Sequence, residues 1–281
     1  MNKKQIFDTV AFYCDNDLDF ICDETAQNRY NQVFLPENFQ TKTANIIKIP
    51  TTNLSTSQAI SMLAQKNLLT DEINTISLEN IINKAKNIAQ SCHDLDSLKI
   101  QVQDFDGCNL KKMATTTVFG DGNPNSKILI IGEAPGSEED MQGIPFCGDS
   151  GIMLGEMFAA INLHRQQNFY ITNTVFWRPP GNRQPTPEEL AICQPFLERI
   201  IQIIKPKLII LIGATASCNV LHCKDQISKI HGKINDFNPS YLDYTSKTIC
   251  LFHPSFLMRQ PSKKKLVWQD LLTIEQYLNN V

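Results

Sequence analysis

Hydrophobic residues collect in two kinds of pattern along the C-terminal two thirds of the chain. Four short apolar runs, Lys127–Ile131, Phe169–Thr174, Lys207–Gly213 and Thr248–Phe252, are rich in isoleucine and β-branched residues. Such runs mark strands buried on both faces, as in a parallel sheet covered by helices. Between and after them the spacing turns helical, over Gly148 to Ile161, Pro187 to Ile204, Ala214 to Leu221 and Ser262 to Leu278. Pro187 with Glu188 and Glu189 makes a good helix start, because proline lacks the N–H that would be orphaned and carboxylates suit the positive end. Strand–helix alternation with right-handed crossovers predicts an α/β fold: a three-layer α/β/α sandwich with a central four-stranded parallel sheet.

The first third reads differently. Lys3 to about Gln32 mixes apolar and acidic residues at helical spacing (Ile6, Val10, Tyr13, Cys14), and 34–57 is a Thr-, Asn- and Pro-rich linker. Ser57–Ala64, Leu78–Ala89 and Asp94–Phe105 are further helices. The chain therefore divides into a helical N-terminal extension, 1–100, without recognisable chemistry, and a main domain, 101–281. Within the latter, Phe119–Asn125 (FGDGNPN) is turn chemistry that delivers the chain into the first central strand.

The 281 residues include 26 basic and 29 acidic side chains, a net charge of −3, so binding to nucleic acid requires a local positive patch. Arg178 with Arg183, and Arg259 with Lys263, Lys264 and Lys265, are the candidates. Three successive lysines are also what a solvated helix start looks like. Nine cysteines, several in strand or helix contexts, with no signal peptide and no apolar run of membrane-spanning length, point to reduced thiols in a cytoplasmic protein.

Open α/β sheets bind ligands beyond the carboxyl ends of their strands. At those ends stand Glu133, Asn173, the Gly213-Ala214 turn, and His253 followed by Pro254-Ser255. On the residues alone each has a bland reading: a capping Asn, a structural His, solvated carboxylates at Glu138, Glu139 and Asp140, and a core Phe146 at a helix entrance. GEAPGSEED lacks the Gly-Lys-Ser/Thr of a nucleotide loop, no dinucleotide fingerprint is present, and His222, His231 and His253 lack helical metal-ligand spacing.

Taken in order, GEAPGSEED, QGIPF, YITNT followed by RPPGNRQPTPEE, and HPSFLMRQ resemble the family 4 uracil-DNA glycosylases, from about Phe105 to the C-terminus. The resemblance implies a monofunctional enzyme of base-excision repair. Such an enzyme hydrolyses the N-glycosidic bond of flipped-out deoxyuridine in DNA, releases uracil and leaves an abasic site. It implies His253 as the residue that hydrogen-bonds the uracil O2 as charge develops, Asn173 as the reader of the base edge, and Phe146 as the stacking platform. Glu133 would orient water or stabilise the cationic sugar, and Glu139 would help exclude a thymine methyl. Ala134 and Gly143 would line the pocket through their backbone. Ser255, Leu257 and Arg259 would meet DNA, with Phe256, Leu257 or Met258 as a wedge and Arg259 on a phosphate. RPPGNRQPTP lacks the inserted histidine-ended loop of a DNA-crosslinking branch, and no lysine nucleophile is recognisable.

Many family 4 enzymes hold a [4Fe–4S] cluster on four cysteines, and the matching positions here are Phe105, Cys108, Trp177 and Cys193. Two ligands of four are gone, so a member without cluster or other metal is expected, unless Cys92 or another thiol substitutes. A monomer acting on uracil-containing DNA is expected, with the extension available to a repair or replication partner. The alternative is a catalytically decayed DNA-binding protein on the same fold.

Overall fold

Three strands, the isoleucine-rich β2 (Ile128–Gly132) and β4 (Leu208–Ile212) and the more mixed β3 (Phe169–Asn173), are buried at every position, and β6 (Ser246–Leu251) at all but one. They pair in parallel in the order β3-β2-β4-β6, which is the expected four-stranded centre. The computed structural model describes residues 77–280. The helices read at Lys3–Gln32 and Ser57–Ala64 and the linker at 34–57 lie outside the described residues.

Two edge strands extend this centre. β1 (Asp121–Gly122) runs antiparallel to β3, and β5 (Asn235–Phe237) antiparallel to β6, giving six strands in the order β1-β3-β2-β4-β6-β5. Neither edge was anticipated, because Asp-Gly and Asn-Asp-Phe carry no apolar run and the former reads as a turn.

Period-two alternation along the central strands divides the core into two layers. Leu129, Ile131, Ile209 and Leu211 face one side, with Phe196 and Ile200 of α6 (Pro187–Ile204) packed on them. Ile128, Ile130, Ile210 and Ile212 face the other. They meet Leu154 and Phe158 of α4 (Asp149–Ala159) and Val267, Leu271 and Ile274 of α10 (Lys264–Leu278). The sandwich is therefore three-layered. α6 starts as its sequence indicates: the Thr186 hydroxyl accepts from the Glu189 amide at 3.3 Å, and the Glu189 carboxylate accepts from the Thr186 amide at 2.8 Å.

The domain boundary expected at residue 100 is displaced towards the N-terminus. The helical residues 77–91 (α1) and α2 (Leu95–Asp104) belong to the same compact unit as the sheet. Ala85, Ala89, Leu98 and Val102 are buried in the layer that holds Phe196. None of the helices among the described residues is long and apolar enough to cross a membrane.

The last loop also corrects an expectation. His253 caps a short helix, α9 (Pro254–Arg259), with Pro254 in its first turn. One turn of helix then carries Leu257 inward, where it is fully buried in the layer beneath α4 and α10, while Met258 is 47% exposed. Leu257 is thus a core residue, unable to wedge a duplex without unpacking that layer. Leu257→Ala is expected to cost about 2–5 kcal/mol of unfolding free energy. Met258→Ala should leave the denaturation midpoint nearly unchanged. Chemical denaturation of both variants checks this, and equal, small losses would return Leu257 to the surface.

Candidate active site

Parallel register aligns the carboxyl ends of the strands, with Gly132 opposite Asn173 and Ile212 opposite Leu251. Their continuations converge on a cavity of about 680 Å³, lined by Glu133 and Ala134 after β2, Asn173 of β3, Gly213 and Ala214 after β4, and His253 after β6. Glu139, Phe146, Arg183, Ser255, Phe256 and Arg259 also reach it. Of the residues anticipated from sequence, Gly143, Arg178 and Leu257 do not line it.

Asn173 is 1% exposed, and its Oδ1 has no hydrogen-bond partner among the described residues. A buried amide oxygen without a donor costs free energy, so it is a group prepared for a ligand donor. Gly132 makes this packing possible: a Cβ there would collide with Asn173 Oδ1 and with the ring of Phe146. The Phe146 ring lies 5.9 Å from the imidazole of His253, centroid to centroid. Its backbone is left-handed (φ 51°), a conformation that costs a bulky L-residue about 1–3 kcal/mol and persists only where neighbours enforce it.

One such neighbour is Glu139. After β2, Ser137–Gln142 forms a short helix, α3. From its first turn the Glu139 carboxylate accepts three backbone N–H groups, of Gly136 at 3.0 Å, Cys147 at 3.1 Å and Gly148 at 3.0 Å. Both oxygens are thus committed to pinning this loop to the one that follows Phe146, which leaves the carboxylate little freedom to police a thymine methyl. Asp140 is likewise structural, buried and accepting from the amides of Thr115 at 2.8 Å and Thr116 at 3.1 Å. Gly143 terminates α3 in the left-handed region (φ 71°), beside Thr116 and away from the cavity.

His253 is fixed in one tautomer. Its Nδ1 accepts from the Ser255 amide at 3.2 Å and lies 2.8 Å from the Ser255 hydroxyl. An amide is always a donor, so Nδ1 is unprotonated and the proton of the neutral ring is on Nε2. Burial, helped by the charge of Arg259, pushes the imidazole pKa down to about 4, against the opposing pull of Glu139. The site therefore presents a neutral N–H donor. Behind it Phe252 stacks on Phe256 at 5.2 Å, and on its other side meets His231 at 4.6 Å, whose Nδ1 pairs with Asp270 at 2.8 Å. Sequence reasoning missed this support, because nothing in the spacing links residues 231, 252 and 270.

The arginines differ in availability. Arg183 is clamped by Glu189 through two bonds of 2.9 and 2.6 Å, so its charge is largely spoken for. Arg178 donates to the Asn182 side chain at 2.7 Å, next to the cavity rather than in it. Arg259 is exposed at its mouth.

The four positions that would hold a cluster do converge, in the buried layer shared by α2 and α6. Their donor set does not fit one. Phe105 packs edge-on against Phe196 at 5.1 Å, and Trp177 is 1% exposed with its indole N–H donating to the Thr117 hydroxyl at 3.0 Å. Cys193 is fully buried beside Cys108, and that neighbouring thiol together with burial keeps Cys193 a protonated thiol. Cys92 spends its thiol on the Ile88 carbonyl at 3.3 Å. Among the described residues no group of three or more His, Cys, Asp or Glu side chains is arranged to hold a metal ion.

A sheet whose strand ends gather a neutral histidine, an unpartnered amide, an aromatic ring and a carboxylate belongs to a known class. Residues 119–272 match the model of the uracil DNA glycosylase superfamily. The chain is 39% identical over 181 residues to the type-4 uracil-DNA glycosylase of Thermotoga maritima, covering 63% of this chain and 91% of that one. It is 35% identical over 184 residues to the type-4 enzyme of Archaeoglobus fulgidus (64% and 91%) and 36% over 191 residues to that of Sulfurisphaera tokodaii (65% and 84%). The chain belongs to the uracil-DNA glycosylase superfamily and, within it, to the type-4 uracil-DNA glycosylases.

Proposed function

We propose that this protein hydrolyses the N-glycosidic bond of deoxyuridine flipped out of DNA, releasing uracil and leaving an abasic site. The observation that carries this reading is the buried, unpartnered Asn173 Oδ1 set against the Phe146 ring and the Nε2–H of His253. A pyrimidine stacked on Phe146 offers its N3–H to that oxygen and its O4 to the amide N–H of the same side chain. Its O2 falls to His253. As the bond to C1′ breaks, the electron pair stays with the base, and the neutral N–H donor stabilises the charge that grows on O2. The Glu133 carboxylate faces the opposite charge, on the sugar, and orients the water that attacks C1′. Nothing here forms a covalent enzyme intermediate, so the product is an uncleaved strand with an abasic site. Arg259 and Ser255 hold the backbone at the cavity mouth. The apolar packing of Phe105 and Trp177 replaces the [4Fe–4S] cluster of relatives, and no step above requires one.

The activity is tested with a labelled oligonucleotide carrying one uracil, paired with G or A or single-stranded. An alkali-labile site at uracil alone is the expected result. His253→Ala and Asn173→Ala should each lower single-turnover excision by roughly 10²–10³-fold. Tight binding of uracil-DNA without release of base by the native protein would favour the decayed, DNA-binding reading.

Because His253 works as a neutral donor with a pKa near 4, excision should stay level from about pH 8 to about pH 5 and fall only as the ring takes its second proton on Nδ1. Arg259→Ala removes a cationic neighbour and should move this acid limb upward. An acid limb centred on the ordinary histidine value would refute the neutral-donor role.

Anaerobically purified protein should carry iron and labile sulfide well below one cluster per chain and show no charge-transfer absorption. Stoichiometric iron and sulfide would overturn the cluster-free reading.

A further inference from the structure

We infer that Arg165 is a positioning residue for excision, a clamp that holds the Phe146 platform in its left-handed turn and indexes it to the strand carrying Asn173. This rests on the reading of Phe146 as the surface on which the flipped base stacks.

Two successive carbonyls, of Pro145 and Phe146, are exposed to a common partner by the unusual backbone at Phe146 (φ 51°). The guanidinium of Arg165 meets both: Nη1 donates to the Pro145 oxygen at 2.9 Å and Nη2 to the Phe146 oxygen at 2.6 Å. The side facing the helix is closed by Gly151, where any Cβ would run into the Phe146 carbonyl. On the far side of the turn, Glu139 takes the amides of Cys147 and Gly148. Donors on one flank and acceptors on the other leave the turn a single conformation, which is what a strained residue needs in order to persist.

The clamp is itself anchored. Arg165 Nη1 lies 3.2 Å from Asp121 Oδ2, and Gln166 Nε2 approaches the same carboxylate at 3.3 and 3.4 Å. Asp121 sits on β1, opposite Ile171 of β3, two residues before Asn173. Arg165 opens the short α5 (Arg165–Asn168) that leads directly into β3. Platform and base-reading amide are thus referred to one strand through one guanidinium. Its planar fork spans two carbonyls and a carboxylate, which a lysine ammonium on a flexible stem does not. Arg165 does not line the cavity, so it acts on the base only through Phe146.

The test is a double-mutant cycle on single-turnover excision, with rates normalised to the folded fraction. Arg165→Ala is expected to slow excision roughly ten- to hundredfold through misplacement of the ring. Phe146→Ala is slow on its own, and adding Arg165→Ala to it should bring no further loss. Arg165→Lys should fall between Arg165→Ala and the native rate. If Phe146→Ala is slow while Arg165→Ala excises at the native rate, the clamp is refuted and the platform stands. Losses that multiply in the double variant also refute the clamp, since Arg165 would then act independently. A native rate for Phe146→Ala refutes the platform, and the clamp with it. Should Arg165→Ala fail to fold, Arg165→Lys in the two Phe146 backgrounds gives the same discrimination.

Discussion

The parallel register of β3-β2-β4-β6 is the constraint on which everything else depends. Evenly spaced ladders bring four strand ends to one edge, and each end delivers a residue that its own sequence neighbourhood could not place. Glu133, Asn173, Ala214 and His253 span some 120 positions of sequence and meet around one cavity. The two hydrophobic layers fix that edge. A one-residue slip in any pairing would turn every inward isoleucine to the opposite layer, so core packing enforces the geometry of the site.

What the register assembles, burial then makes reactive. Asn173 Oδ1 is stripped of partners, and His253 is deprived of its second proton by the same desolvation. The cap at α9 links structure to chemistry: the amide that starts the helix also sets the tautomer, so the proton of the neutral ring is left on Nε2. The folding requirement to satisfy a helix N-terminus and the chemical requirement for a neutral donor are met by one bond.

Much of this was legible in the sequence. The central strands and α6 announce themselves because unbroken isoleucine runs and a Thr-Pro-Glu-Glu start have few other uses, and the residues at the strand ends follow from topology. The failures share a physical cause. β1 and β5 are too short and polar to show a period. Leu257 was one of three wedge candidates that the resemblance offered, and only the turn of helix after Pro254 sends it inward. Glu139 does reach the cavity, but three backbone amides of its own and the following turn claim its carboxylate, a commitment that residue type alone does not show. Arg165 gave no signal at all, because its partners, Asp121 and the carbonyls of 145 and 146, are joined only in three dimensions.

The segment around residue 105, the loop before residue 178 and α6 are joined in one buried apolar layer. A void left among them would destabilise the fold at a cost that rises with cavity volume. Phe105 and Trp177 occupy two of the four positions and are 3% and 1% exposed, with the ring of Phe105 on Phe196 and that of Trp177 on Phe176 at 6.0 Å. Each fully buried ring contributes about 1.5–3 kcal/mol, so dispersion and desolvation hold these segments together. The indole N–H, the one nitrogen or oxygen among these four side chains, finds the Thr117 hydroxyl and is not orphaned. Ala134, beside Glu133 at the cavity, packs against this layer, so the layer supports the site directly. Close-packed aromatic rings transmit strain rather than absorb it, provided that every buried donor is satisfied, so the placement of the loop at Ala134 depends on this layer.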